Sequence, residues 1–118
     1  MTMHLRVLAG GHDLLLPSNS VLRVSDEPAG ERPTLDLART MGGAVAGGPF
    51  ILYGDEESAA IRLVVDEVKG LVDLPDEMLA RLPPLSPRFA RLFDSIALEA
   101  IDGRHLLRLR PRITVDGL

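Results

Sequence analysis

With 118 residues, 46% of them apolar, the chain can form one domain with a real core, but three phenylalanines, one tyrosine and no tryptophan leave leucine, valine and isoleucine to build it. Thirteen basic against seventeen acidic residues give a net charge of −4, which argues against the basic surface that nucleic acid or an acidic membrane requires. The lack of cysteine excludes disulfides, thiolate metal sites and cysteine nucleophiles; with no signal-peptide pattern and no apolar run near the ~18 residues of a membrane span, a cytoplasmic protein without direct membrane insertion is expected.

In chain order, Leu5–Ala9 reads as a strand, Gly10-Gly11-His12-Asp13 as a turn free to take positive φ, and Leu14–Leu16 as a returning strand ended by Pro17. Ser18-Asn19-Ser20 supplies local side-chain hydrogen bonds before a strand at Val21–Val24, and polar Ser25–Arg32 reads as a loop. Pro33-Thr34-Leu35-Asp36-Leu37 leads into Ala38–Gly43, where the Gly42-Gly43 pair suits a helix end that needs the left-handed conformation. Glycine-rich 44–49 is a connector between subregions of about 5–43 and 50–110 within a single domain, 1–118. Phe50–Tyr53 is a strand, and Gly54-Asp55-Glu56-Glu57-Ser58 an acidic turn, read as solvated before it is read as a docking patch.

Ile61–Pro75 organises the rest. Ile61, Leu63 and Val65 alternate with Arg62, Val64 and Asp66, the period of a strand with one buried face. Asp66–Gly70 interrupts the run, Leu71–Leu74 is a second short strand, and Pro75 closes it. Pro75 with Asp76 and Glu77 then predicts a brief helix through Leu82, stopped by Pro83-Pro84. Ser86 is an N-cap before Pro87, and Phe89, Leu92 and Phe93 share one helix face, away from Arg88 and Arg91.

Asp102-Gly103 is a type I′ turn signal that pairs Ile101 with Arg104. Carried outward, that register pairs Leu98 with Leu107 and Ile96 with Leu109 on one apolar face, with Ala100 and His105. The other face then carries Glu99, Leu106, Arg108 and Arg110, with Glu99 diagonal to Arg104 and Arg108. The basic row Arg104, Arg108 and Arg110 is the candidate partner-binding surface, because arginine is enriched at interfaces and forks onto carboxylates.

No catalytic, metal or cofactor constellation stands out. His4, His12 and His105 lack the spacing of a metal pair, the glycine pairs precede no Lys-Ser/Thr, and Asp66, Glu67 and Asp73 lack calcium-loop spacing. No serine lies in a nucleophile-elbow context. A protein that is not an enzyme is expected, and no cofactor is assigned.

Three stretches together resemble the CheW-like domain, the adaptor family of bacterial chemosensory complexes. They are Gly10-Gly11 with Leu14, Leu16, Pro17, Val21 and Val24; Pro33-x-x-Asp36-Leu37; and Val65-Asp66-Glu67-Val68 with Gly70, Val72 and Leu74-Pro75. Gly103 and the leucine-rich strand after it fit the family's closing hairpin. The resemblance implies an all-β fold of two small SH3-like β-barrels on a shared core, and a non-catalytic adaptor that couples chemoreceptors to a histidine kinase. One departure matters: only eight residues, 25–32, separate Val24 from Pro33, and the family's Asn-x-Arg-Gly segment on an extra strand is missing. The first barrel is therefore expected to be abridged, and no binding residue is carried over. A module that regulates another signalling protein, such as a motility or polarity switch outside the receptor array, is the alternative; an enzyme with an unrecognised site is the third reading.

Overall fold

The computed structural model describes residues 2–28, 30–83 and 86–115. The first strands, β1 (Thr2–Ala9) and β2 (His12–Pro17), turn through Gly10-Gly11, whose φ angles of +60° and +82° make the two-residue loop possible. β3 (Val21–Ser25) follows, then β4 (Thr34–Asp36) and the one-turn helix α1 (Leu37–Thr40). Asp36 caps that helix by accepting from the Arg39 N–H at 3.1 Å. Its far end closes on glycine: Gly42, at φ +92°, donates to the Arg39 carbonyl at 3.0 Å and Gly43 to that of Ala38 at 2.8 Å.

Beyond the connector come β5 (Phe50–Tyr53), β6 (Ile61–Val64) and β7 (Glu67–Leu74), then β8 (Leu79–Arg81), α2 (Pro87–Leu92), β9 (Phe93–Ala97) and β10 (Leu107–Leu109). These strands make two sheets, one of six in the order β7-β1-β2-β10-β9-β8 and one of four in the order β3-β5-β6-β4. Neighbours run antiparallel except β2 with β10 and β4 with β6. Each sheet draws strands from both sides of the 44–49 connector, so the stretches 5–43 and 50–110 interleave.

β2 is the wall that the two halves of the core share. Leu14 and Leu16 join the main core with Leu5, Val7, Ile51, Tyr53, Leu63 and Val65. Leu15 points the other way, into a smaller cluster with Leu74, Ala97 and Leu106. All three leucines are buried, which is why the strand reads as an unbroken apolar run. Tyr53 bridges the sheets, its hydroxyl donating to the Arg110 carbonyl at 2.7 Å. The architecture is all-β with two barrel-like sheets.

Three local expectations are corrected. Ile61, Leu63 and Val65 are buried as their alternation requires, but the stretch is a crossover: β6 belongs to the four-stranded sheet and β7 to the six-stranded one. β7 is one eight-residue strand that runs through Gly70, with Lys69 as its extra residue opposite the Arg6–Val7 step of β1. Asp66 pins the crossover to the first hairpin, its N–H donating to the Leu8 carbonyl and its carboxylate accepting from the Gly10 N–H, both at 2.8 Å.

The helix expected from Pro75 to Leu82 is only a 3₁₀ turn at Asp76–Met78, followed by β8, which pairs Leu79 with Ala97 and Arg81 with Ser95. So short a segment cannot repay helix nucleation, whereas the open side of β9 offers it a ladder. Pro84 lies outside the described residues. Ser86 does cap α2, accepting from the Phe89 N–H at 3.1 Å, and the Phe89 and Phe93 rings meet at 5.1 Å.

The third correction is the register of the last hairpin. Asp102 and Gly103 take φ of +51° and +79°, and Ile101 bridges Arg104, as a type I′ turn requires. The ladder beyond is displaced: Leu107 lies opposite Ile96, Arg108 opposite Ser95 and Leu109 opposite Phe93. Four residues, 97–100, stand on one arm between bridge and ladder against two, 105–106, on the other. Leu98 is consequently 53% exposed and Leu106 only 1%, the reverse of the expected faces. His105 is exposed as well, its Nδ1–H donating to the Ala97 carbonyl at 2.9 Å. The cause is β2, which holds β10 in parallel with Leu107 beside Leu14 and Arg108 beside Leu15. The turn accommodates a register imposed from the opposite side of the strand.

Candidate functional site

The three arginines singled out from the sequence lie on and beside β10, each with its own partner. Arg104, next to the turn, is well exposed and reaches Asp13 at 3.5 Å. Arg108 is largely covered and forks onto Asp94, with Nε at 3.2 Å and a terminal nitrogen at 3.3 Å. Arg110 is exposed, and its Nε donates to the Ala90 carbonyl at the back of α2. A register shift between Arg108 and Leu109 breaks the alternation that would align them in one row. Arg104 and Arg108 find their carboxylates in Asp13 and Asp94 rather than in Glu99.

The densest charge cluster is centred on Asp13, whose side chain is almost fully buried. It accepts from Arg6 at 3.0 Å, from Lys69 at 3.1 Å and, less closely, from Arg104. Arg6 also reaches Asp102 at 2.7 Å, so the cluster ties β1, β2 and β7 to the Asp102-Gly103 turn. Burial pushes the Asp13 carboxyl up, but hydrogen bonds from Arg6 and Lys69 outweigh it and hold it below the ordinary carboxylate range. The Arg6 guanidinium is raised, first by Asp102 and then by Asp13. In the sequence Asp13 reads as part of a turn. The signal was nonetheless present: a two-residue Gly10-Gly11 loop places Leu8 opposite Asp13, and hence Arg6 on its diagonal.

His4, on the same β1 face as Arg6, is completely buried. Its Nδ1–H donates to the Thr2 carbonyl at 3.0 Å, while Nε2 has no partner among the described residues. Burial lowers its pKa, the Thr2 carbonyl opposing the shift. Elsewhere, an apolar cleft of about 440 Å³ opens between the end of α1 and α2, walled by Met41, Phe89, Leu92 and Phe93. Among the described residues no group of three or more His, Asp or Glu gathers as a metal set, and no helix is long and apolar enough to cross a membrane. The Asp13 carboxylate is surrounded by Arg6, Lys69 and Arg104, and so acts as a brace between strands.

No protein-family model matches the sequence, and no curated protein matches it either. Among solved structures, the scaffolding protein TtCheW from Thermoanaerobacter tengcongensis is similar to it, with a TM-score of 0.68 at 15% identity over 94% of this chain and 90% of that one. At that identity the likeness is one of backbone architecture, and it spans both sheets. The chain has the CheW-like all-β fold, two barrel-like sheets built around the doubly buried β2.

Proposed function

We propose that this protein is a non-catalytic adaptor or scaffold of a bacterial chemosensory or related signalling pathway, with a histidine kinase, a chemoreceptor or both as its partners. The observation that supports this most is the whole-chain structural likeness to a scaffolding protein, spanning 94% of the chain. The chemistry agrees with it: the charged groups that burial and pairing perturb neutralise one another, which suits a rigid frame. In this reading the exposed guanidiniums of Arg104 and Arg110 contribute to a partner surface, and Arg108, braced by Asp94, supports the strand between them.

A second reading, a module that regulates a motility or polarity switch outside the receptor array, is favoured by the segment after β3. Residues 26–28 and 30–33 form no strand, so whatever an additional strand would contact is absent here. Tagged protein captured from its own cells, identified by mass spectrometry and rebuilt with the purified partner, tests both readings. A receptor or histidine kinase supports the first; a different signalling protein supports the second. Direct turnover of a small molecule by the purified chain overturns both. Charge reversal of Arg110 to glutamate should weaken capture at low salt and leave the melting temperature nearly unchanged.

A further inference from the structure

A free sheet edge offers backbone donors and acceptors to any extended chain, and folded proteins blunt such edges with short strands, charges and bulges. Four edges are open to comparison here. β4 and β8 have three residues each, and β7, although it exposes Leu71 at 65%, sets that leucine between Lys69 and Asp73, carries Glu67 as well, and has a bulge. β3 is different. It has five residues, pairs on one side with β5 alone, and, with Leu22 as the extra residue of a bulge between Val21 and Arg23, places two large apolar side chains in water, Leu22 at 39% and Val24 at 44%, beside a basic cleft.

The register shows why Val24 is wet. Val24 lies opposite Ile51, which is fully buried, so Val24 points to the core side of the sheet and is uncovered because no strand follows it. Arg23 lies opposite Leu52, and Leu52 opposite Arg62, which puts both arginines on the outer face. There they line one shallow cleft with Arg32 and Glu27, three cations to one anion. Arg32 donates to the carbonyls of Glu57 and Ala60 and Arg62 to that of Gly30. Arg23 makes no hydrogen bond or ion pair among the described residues.

We propose that the open edge of β3 accepts an extended acidic segment of a partner polypeptide by strand addition. Its backbone pairs along Val21–Ser25, an apolar side chain covers Val24 on the core side, and a neighbouring carboxylate meets Arg23 on the outer face. Charge selects this occupant over a second copy of the chain, since antiparallel self-pairing about the middle of β3 sets Arg23 against its own counterpart. The inference rests on the adaptor reading in that the occupant is a protein. Its test contains no signalling partner, so its failure leaves that reading standing.

The test titrates isotopically labelled protein with the blocked peptide acetyl-TVEVT-amide, followed through backbone amide resonances. Two further peptides serve as probes, TVKVT and a TVEVT with alternate amides N-methylated in either phase. The expected result is a saturable shift confined to residues around Val21–Ser25, about fivefold weaker binding of TVKVT, and none by at least one N-methylated phase. Arg23→Glu should invert the preference between TVEVT and TVKVT, which loss of fold could not do. No shift at β3 up to ~5 mM peptide overturns the proposal, given the millimolar range of weak binding. So does unchanged affinity in both N-methylated phases. Concentration-dependent dimerisation abolished by Leu22→Lys with Val24→Lys would name a second copy as the occupant, and it overturns the proposal too.

Discussion

The displaced register of the last hairpin makes a quantitative claim about three leucines. Leu106 is 1% exposed and lies in the cluster of Leu15, Leu74 and Ala97, with Val72, Leu79 and Ile101 packed around it. Truncation there removes buried methyls from a cluster with only four fully covered members, so neighbouring side chains have little freedom to collapse into the gap. Leu106→Ala should cost about 3 kcal/mol, within the range for buried leucines. For a domain of this size that lowers the melting temperature by roughly 10–15 °C. Leu107 is half-buried against the main core and should cost about 1–2 kcal/mol on truncation. Leu98, 53% exposed, should cost less than about 0.5 kcal/mol. Urea melts followed by circular dichroism, with unchanged m-values, measure all three. Had the Asp102-Gly103 turn dictated the ladder, Leu98 and Leu107 would face the core together and Leu106 would be wet. A loss for Leu98→Ala equal to that for Leu106→Ala, or a larger loss for Leu107→Ala than for Leu106→Ala, refutes the displaced pairing.

Other consequences can be checked with the same melts. His4 has a folded-state pKa below its ordinary 6.5, so as pH falls through that value the unfolded chain takes the proton first. Stability should be full above it and decline down to the depressed pKa; His4→Leu should flatten the slope between about pH 7.5 and 5.5, and an unchanged slope would assign it elsewhere. Asp13 shifts in the same direction as an acid: its contribution is present above 3.8 and disappears as pH falls through its lowered value. Asp13→Asn should therefore cost about 2–3 kcal/mol at neutral pH, leaving Arg6 and Lys69 short of a carboxylate, and progressively less as pH falls below 3.8. Gly10 and Gly11 both take positive φ, but a Cβ on Gly10 would sit 2.5 Å from the Ala38 carbonyl oxygen while one on Gly11 meets nothing within 4 Å. Gly10→Ala should be the more destabilising by at least about 1 kcal/mol, and equal losses would mean that the hairpin does not press on α1.

What the sequence by itself determined are the features decided within a few residues. The two glycine-bearing turns, at Gly10-Gly11 and Asp102-Gly103, follow from the need for positive φ. The Ser86 cap and the Gly42-Gly43 helix end follow from unsatisfied backbone groups at helix termini. The alternation of Ile61, Leu63 and Val65 follows from the two-residue period of a strand. Tertiary structure decided what depends on partners distant in the chain. Val65-Asp66 is a crossover between the sheets because β7 pairs along β1 rather than with β6. Leu79–Arg81 is a strand because β9 has a free side. Arg108 is a brace rather than a wet side chain because Asp94, beside its cross-strand neighbour Ser95 on β9, meets its guanidinium, and Leu106 is core because β10 takes its register from β2, which is more than ninety residues earlier. Local patterns fix where the backbone can turn or alternate; which strand lies alongside is settled by the burial and hydrogen bonding of the whole sheet, and that changes which face of each strand is wet.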